Sequence, residues 1–232
     1  MLGMTTLKPS QILALGRSYA AHAAELGNPA PDAAPLLFWK PIGSLAAGGV
    51  TRLPRWSEGP TVIHYEGEVA LVLGRALGPG TPALPADPWE VVSHIAAAID
   101  LSDRDMQKLE PQWVRAKGFA GACALSEPAV RPEDPTELWV RTQLNGTQVQ
   151  EGRTSQLLFP IRGVLTYIHA FLSLNAGDVI LTGTPAGVGG LSPKDLLEVS
   201  IGSGPFGEEE GPALASVRLE LQEGPQVPSF FP

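Results

Sequence analysis

This sequence predicts a β-rich α+β fold, on three observations. Glycine and proline are abundant, at 26 and 23 of 232 residues, and such residues punctuate short elements. The stretch TVIHYEGEVALVLGR alternates with the two-residue period of a strand, and ELWVRTQLNGTQVQEG places Asn145-Gly146, the strongest short hairpin signal, between two alternating runs. Strands and helices do not alternate as β-α-β, which disfavours Rossmann and barrel folds.

Taken in order, QILALGR at 11–17 reads as a strand ending in a turn, and SYAAHAAELGN as a helix stopped by Gly27-Asn28-Pro29. LLFWKP at 36–41 is a second short strand, and Pro/Gly-rich loops fill 47–60. In the next strand Val62, His64, Glu66, Glu68 and Ala70 share one face, with Ile63, Tyr65, Val69 and Leu71 on the other. ALGPGTPALPADP is a loop. Trp89 to Ala98 reads as helix passing into strand, and SDRDMQKLE as a short helix with Ser102 and Asp105 spaced as a capping box. After the hairpin, LLFPIRGVLTYIHAFLSL is helical, and DVILTGTPAGVGG is a buried strand running into a glycine loop. LLEVSIGS and ALASVRLELQE pair as late strands around FGEEEGP, an exposed acidic loop tip.

The length suits one catalytic domain over 1–232, and a hydrophobic content of 44% with 17% charged residues makes it globular. A net charge of −8 argues against a nucleic-acid surface. The single cysteine, Cys123, excludes an intrachain disulfide or a zinc cluster and fits a reducing compartment. No signal peptide is visible in MLGMTTLKPSQ, and GVLTYIHAFLSLNAG is too short and polar to span a bilayer, so we expect a soluble cytoplasmic protein without membrane contact.

Four groups of residues carry candidate chemistry. Glu66 and Glu68 point the same way from one strand, and like charges that close repel unless a cation lies between them or one is protonated. Alone the pair reads as a solvated strand face. Asp100, at the end of the apolar run HIAAAID, makes a third carboxylate, and three form a hard oxygen site for Mg²⁺, Mn²⁺ or Ca²⁺. His22 and Glu25, at i and i+3 of a helix, have the form of an imidazole base oriented by a carboxylate. Arg104 and Gln107 share a helical face just after Asp100. Lys40 and Lys117 are, taken singly, surface charges. The glycines and threonines of TGTPAGVGG can approach an anion, although no P-loop lysine follows.

Read in order, GRSYAAHAAELGN, LLFWKP, HYEGE, DLSDRDMQ, WVRAKGF, LNGTQVQEGRTSQLLFPI and GDVILTGTPAGVG resemble the fumarylacetoacetate hydrolase family, in its short acylpyruvate hydrolase-like members. The match spans about 11–201, with divergent strands over 202–232. The resemblance implies a mixed β-sandwich roll with a few flanking helices, a homodimer and one divalent cation per subunit, Mg²⁺ first and Mn²⁺ or Ca²⁺ as alternatives. By motif, Glu66, Glu68 and Asp100 are the metal ligands, and His22 with Glu25 the water-activating dyad. Lys117 is a catalytic cation near the metal that holds the charge of the departing enolate, and Arg17, Tyr19, Lys40, Arg104, Gln107 and Thr184 are substrate contacts. His64, on the face of the two glutamates, is expected beside the metal. The implied activity is hydrolysis of a C–C bond in 2,4-dioxo acids through a metal-stabilised enolate. Decarboxylation, tautomerisation or dehydration of 2-oxo acids such as oxaloacetate is the alternative on the same parts, and a non-catalytic metal or ligand binder a third reading.

Overall fold

The computed structural model describes residues 6–27, 29–56, 61–204 and 212–228. Its strands are β1 (Ile12–Gly16), β2 (Leu36–Lys40), β3 (Val50–Trp56), β4 (Ile63–Leu73), β5 (Val92–Asp103), β6 (Cys123–Leu125), β7 (Ala129–Val130), β8 (Leu138–Leu144), β9 (Thr147–Arg153), β10 (Val179–Leu181), β11 (Gly189–Gly190), β12 (Leu196–Ser203) and β13 (Ala215–Val227). The helices are α1 (Ala20–Glu25), α2 (Arg104–Leu109), α3 (Val114–Gly118) and α4 (Ile161–His169).

Two mixed sheets face each other. The first runs β2-β1-β10-β4-β5-β6, with β11 also on β4 and β7 also on β5; the second runs β3-β13-β12-β8-β9. The inner faces share one core, in which Leu13, Tyr65, Val69, Leu71 and Ile99 of the first sheet meet Val140, Val199 and Leu219 of the second. The outer face of the first sheet buries a smaller set: Ile12, Ala14, Ala70, Val72, Ala96, Ala98 and Cys123. β4 therefore alternates as its sequence predicts. Its odd-numbered residues enter the core, and its even-numbered ones line the outer face.

Gly67 sits on the inner side of β4 between the two glutamates. A Cβ there would lie 1.9 Å from Thr142 Oγ1 and 3.1 Å from Val199 Cγ2, so the second sheet packs directly on the β4 backbone at this point. On the opposite edge, β10 pairs with residues 70–72 of β4 and β11 with residues 64–65. The chain between them, 182–188, leaves the ladder where Glu66 and Glu68 stand.

Several elements differ from expectation. Residues 50–56, read as loop, form β3; it is an edge strand, where Pro54 costs no ladder bond. Residues 88–91 make only one 3₁₀ turn, and the alanines of 96–98 lie in a central strand. Alanine favours helix, but this strand is buried on both faces between neighbours, and small residues fit it. The cap of α2 is Asp103, whose Oδ1 accepts from the amides of Asp105 and Met106; Ser102 remains in β5. The late helix starts only at Ile161, after Pro160. α3 forms over Val114–Gly118, where the sequence pattern predicts no element. Asn145 and Gly146 do turn the β8–β9 hairpin, both with positive φ (53° and 80°). FGEEEGP, at 206–212, lies outside the described residues apart from Pro212.

Candidate active site

The site stands on the outer face of β4 and β5, whose antiparallel register puts Glu66 directly opposite Asp100. With Glu68 they form a buried group of three carboxylates whose ligand atoms all lie within 4.8 Å of one another. Cations meet them from three sides. Lys117 on α3 donates from Nζ to Glu66 Oε2 and to Asp100 Oδ2, each at 2.7 Å. Lys40, at the end of β2, pairs with the other oxygen of Asp100 and donates to the Lys117 carbonyl at 2.7 Å. Arg104, first residue of α2, donates to Glu66 Oε1 at 2.6 Å, and Ser102 Oγ donates to the same oxygen at 2.9 Å. Among the described residues no cation pairs with Glu68 in this way. Glu68 accepts from the Gly183 amide at 2.6 Å. That approach requires glycine, because Gly183 has φ +88° and a Cβ would lie 1.8 Å from Ser18 Oγ.

The electrostatics separate the two glutamates. Burial alone would raise the pKa of Glu66, but the Lys117 and Arg104 charges outweigh it and hold the carboxyl below the usual range. Glu68 is pushed well up, first by burial and then by the charges of Asp100 and Glu66. Burial also opposes the charge on Lys117, yet Asp100 and Glu66 prevail and raise its pKa, so the ammonium is kept. Three close, buried oxygen donors, one strained toward protonation by its neighbours' charge, fit a hard divalent cation, which would relieve that strain. Cys123, paired across the ladder with Asp100, is pushed up to about 12 by burial and is no thiolate ligand.

A cavity of about 600 Å³ opens above this cluster. Arg17, His22, Glu25, His64, Glu66, Arg104, Gln107, Lys117 and Thr184 line it, with Phe38 and Trp113 as an aromatic wall. Their rings meet edge to face at 5.4 Å, and Lys117 Nζ sits 4.9 Å from the Phe38 centroid. His22 Nδ1 is 3.5 Å from Glu25 Oε2, and Glu25 is held by the Gly187 amide at 3.0 and 3.2 Å. Burial is the main reason the His22 pKa is lowered. Burial and Arg104 likewise lower that of His64. Gln107 Oε1 accepts from Arg104 at 2.9 Å, which aims its amide nitrogen elsewhere.

Two expected substrate contacts are not on the cavity wall. Lys40 is fully buried behind Asp100, where a cation is needed to balance that carboxylate, and it is an ion-pair partner instead. Tyr19 is also buried, and its pKa is raised by burial and by Glu68. Thr184 reaches the wall, but its hydroxyl is already committed to the Gly67 carbonyl at 2.9 Å. Ser102 and the aromatic pair Phe38 and Trp113 escaped sequence reasoning. The period-2 count that found Glu66 would have found Ser102, two residues beyond Asp100 on the same strand face.

A family model for the C-terminal part of fumarylacetoacetate hydrolase matches residues 11–217. The chain belongs to the fumarylacetoacetate hydrolase family. Within that family it is 34% identical over 197 residues to the mitochondrial oxaloacetate tautomerase of Bos taurus, covering 82% of this chain and 86% of that protein. It is 33% identical over 201 residues to the mitochondrial oxaloacetate decarboxylase of Dictyostelium discoideum, covering 82% and 88%. Among solved structures, the fumarylpyruvate hydrolase of Pseudomonas aeruginosa in complex with Mn²⁺ and pyruvate superposes with a TM-score of 0.75 at 25% identity, over 95% of this chain and 93% of that one. The family's mixed-sheet fold with few helices is the fold of this chain, and its named members are enzymes. Among the described residues no helix is long and apolar enough to cross a membrane.

Proposed function

We propose that this chain is a divalent-cation-dependent hydrolase that cleaves the C3–C4 bond of 2,4-dioxo acids, with Glu66, Glu68 and Asp100 as the ligands. The observation that carries this reading is the His22–Glu25 pair on the wall of the cavity that Glu66 and Lys117 floor. A bound Mg²⁺ or Mn²⁺ would supply a Lewis acid for the 2-oxo acid end of the substrate. Buried and neutral, His22 takes a proton from water, and Glu25 orients the ring and steadies the imidazolium. Hydroxide adds to the C4 carbonyl, the C3–C4 bond breaks, and its electron pair passes to C3 and the 2-oxo group. Lys117, kept charged by its carboxylates, lies where that negative charge develops. Proton return to C3 completes the balance: acylpyruvate and water give a carboxylic acid and pyruvate. Arg104, Gln107 and Arg17 are the donors on the wall for substrate oxygens.

A second reading, keto–enol exchange or decarboxylation of oxaloacetate, is favoured by the names of the two relatives at 33–34% identity. It uses the same parts, with His22 moving a carbon-bound proton rather than activating water. The test is a panel of acetylpyruvate, fumarylpyruvate and oxaloacetate with Mg²⁺ or Mn²⁺, products read by mass. Pyruvate plus the matching acid from the dioxo acids supports hydrolysis. Turnover of oxaloacetate alone replaces it with the second reading. We also propose that the chain is a homodimer, and light scattering should return twice the chain mass of 24.4 kDa.

A further inference from the structure

The carboxylates of β4 need a backbone that does not shift, and one side chain from the other sheet holds it. Gln150, on β9, is 2% exposed. Its Oε1 accepts from the Gly67 amide at 3.0 Å. Its Nε2 donates to Thr184 Oγ1 at 2.8 Å and to the Pro185 carbonyl at 2.9 Å. Thr184 Oγ1 in turn donates to the Gly67 carbonyl at 2.9 Å. Both polar groups of the Gly67 residue, the one between Glu66 and Glu68, are therefore tied to the 182–185 loop. That same loop supplies the Gly183 amide to Glu68. The partners also decide the amide's orientation: an N–H must face its oxygen and a carbonyl its nitrogen.

The chain is bent locally to bring Gln150 there. In the β8–β9 ladder Thr142 pairs with Gln150 but Gln143 pairs with Gln148, which leaves Val149 as the extra residue of a bulge. Without it, Gln148 and Gln150 would share a face; with it, Gln148 is exposed and Gln150 turns inward. Its ladder partner Thr142 is the residue that packs onto Gly67.

We propose that Gln150 is the positioning residue of the carboxylate site, holding Glu66 and Glu68 in register with the 182–185 loop by clamping the Gly67 peptide. Only an uncharged amide suits the place. Glutamate would offer a second acceptor where two donors are needed and add a charge beside three carboxylates, and leucine would offer neither partner. The inference rests on the proposed cation site, and the test separates the two.

The experiment measures Mn²⁺ affinity by titration calorimetry on wild type, Q150L and T184V, with melting temperature and circular dichroism alongside. The control is I201V, a core change on β12. Q150L should weaken Mn²⁺ binding at least tenfold, the scale of lost support behind metal ligands, while still folded at the assay temperature. T184V, which removes one hydroxyl of the same network, should shift it the same way by less, and covers the case in which Q150L does not fold. I201V should lower the melting temperature without changing the affinity. If folded variants bind Mn²⁺ as wild type does, the role of Gln150 is overturned and the cation site stands. If wild type binds no divalent cation, the site reading falls and this role with it.

Discussion

Lys117 answers two carboxylates with one ammonium, so its removal leaves Glu66 and Asp100 each short of a partner. For K117M we expect kcat to fall by more than KM rises, because its charge is needed most where negative charge develops; steady-state kinetics on any turned-over substrate checks this, and a pure KM effect would sink the assignment. For H22A, kcat should drop by about 10²–10⁴-fold with Mn²⁺ affinity retained. The pH dependence follows from the sign of the shift. Burial lowers the His22 pKa from 6.5, so the ring is neutral at pH 7 and gains its proton only below 6.5. The acid limb of kcat/KM should accordingly lie below pH 6.5 and vanish in any residual activity of H22A. A wild-type limb centred above 6.5 would contradict it. At this scale the residues were readable wherever one element sufficed: His22 with Glu25, Arg104 with Gln107, Glu66 with Glu68.

The element that matters most is β4, and its two faces do different work. Its outer face carries acids and its inner face is pressed on the second sheet, with glycine at the closest approach. Gly67→Ala would drive a methyl into Thr142, and overpacking of this kind costs about 1–3 kcal/mol. Denaturant melts should show that loss, and adding Thr142→Ala should recover part of it, since the two side chains then no longer compete for one space. Additive losses in the double variant would mean the two sheets do not meet there. The misread elements share a cause. Proline in β3 and alanine in β5 carry local preferences against a strand, and the edge position of one and the double burial of the other override them.

Across the whole molecule, the cation would be the ligand that joins β4 and β5 at the outer face. Dialysis against EDTA should abolish turnover, and Mg²⁺ or Mn²⁺ should restore it. A ligand that binds only the folded chain stabilises it, by about 2.7 kcal/mol at a hundredfold excess over Kd, so Mn²⁺ should also raise the melting temperature. An unchanged melting temperature at saturating Mn²⁺ would argue against the buried carboxylates as its site. The two-sheet architecture is what lets distant segments act together here, since α3, α2, β2 and the 182–185 loop all end around the same three acids.

The sequence by itself determined what short-range periodicity can carry: the β-rich class, the shared face of Glu66 and Glu68, the helical pair His22 and Glu25, the hairpin at Asn145-Gly146, and through ordered motifs the family. Tertiary structure alone decided that Asp100 lies opposite Glu66, that Lys40 backs Asp100 rather than facing the cavity, and that a bulge turns Gln150 onto Gly67. The physical reason is one of range. A side chain's direction within an element follows from the local backbone period, whereas its partner across the molecule depends on strand register, on bulges and on which sheet packs where, and those are properties of the assembled core.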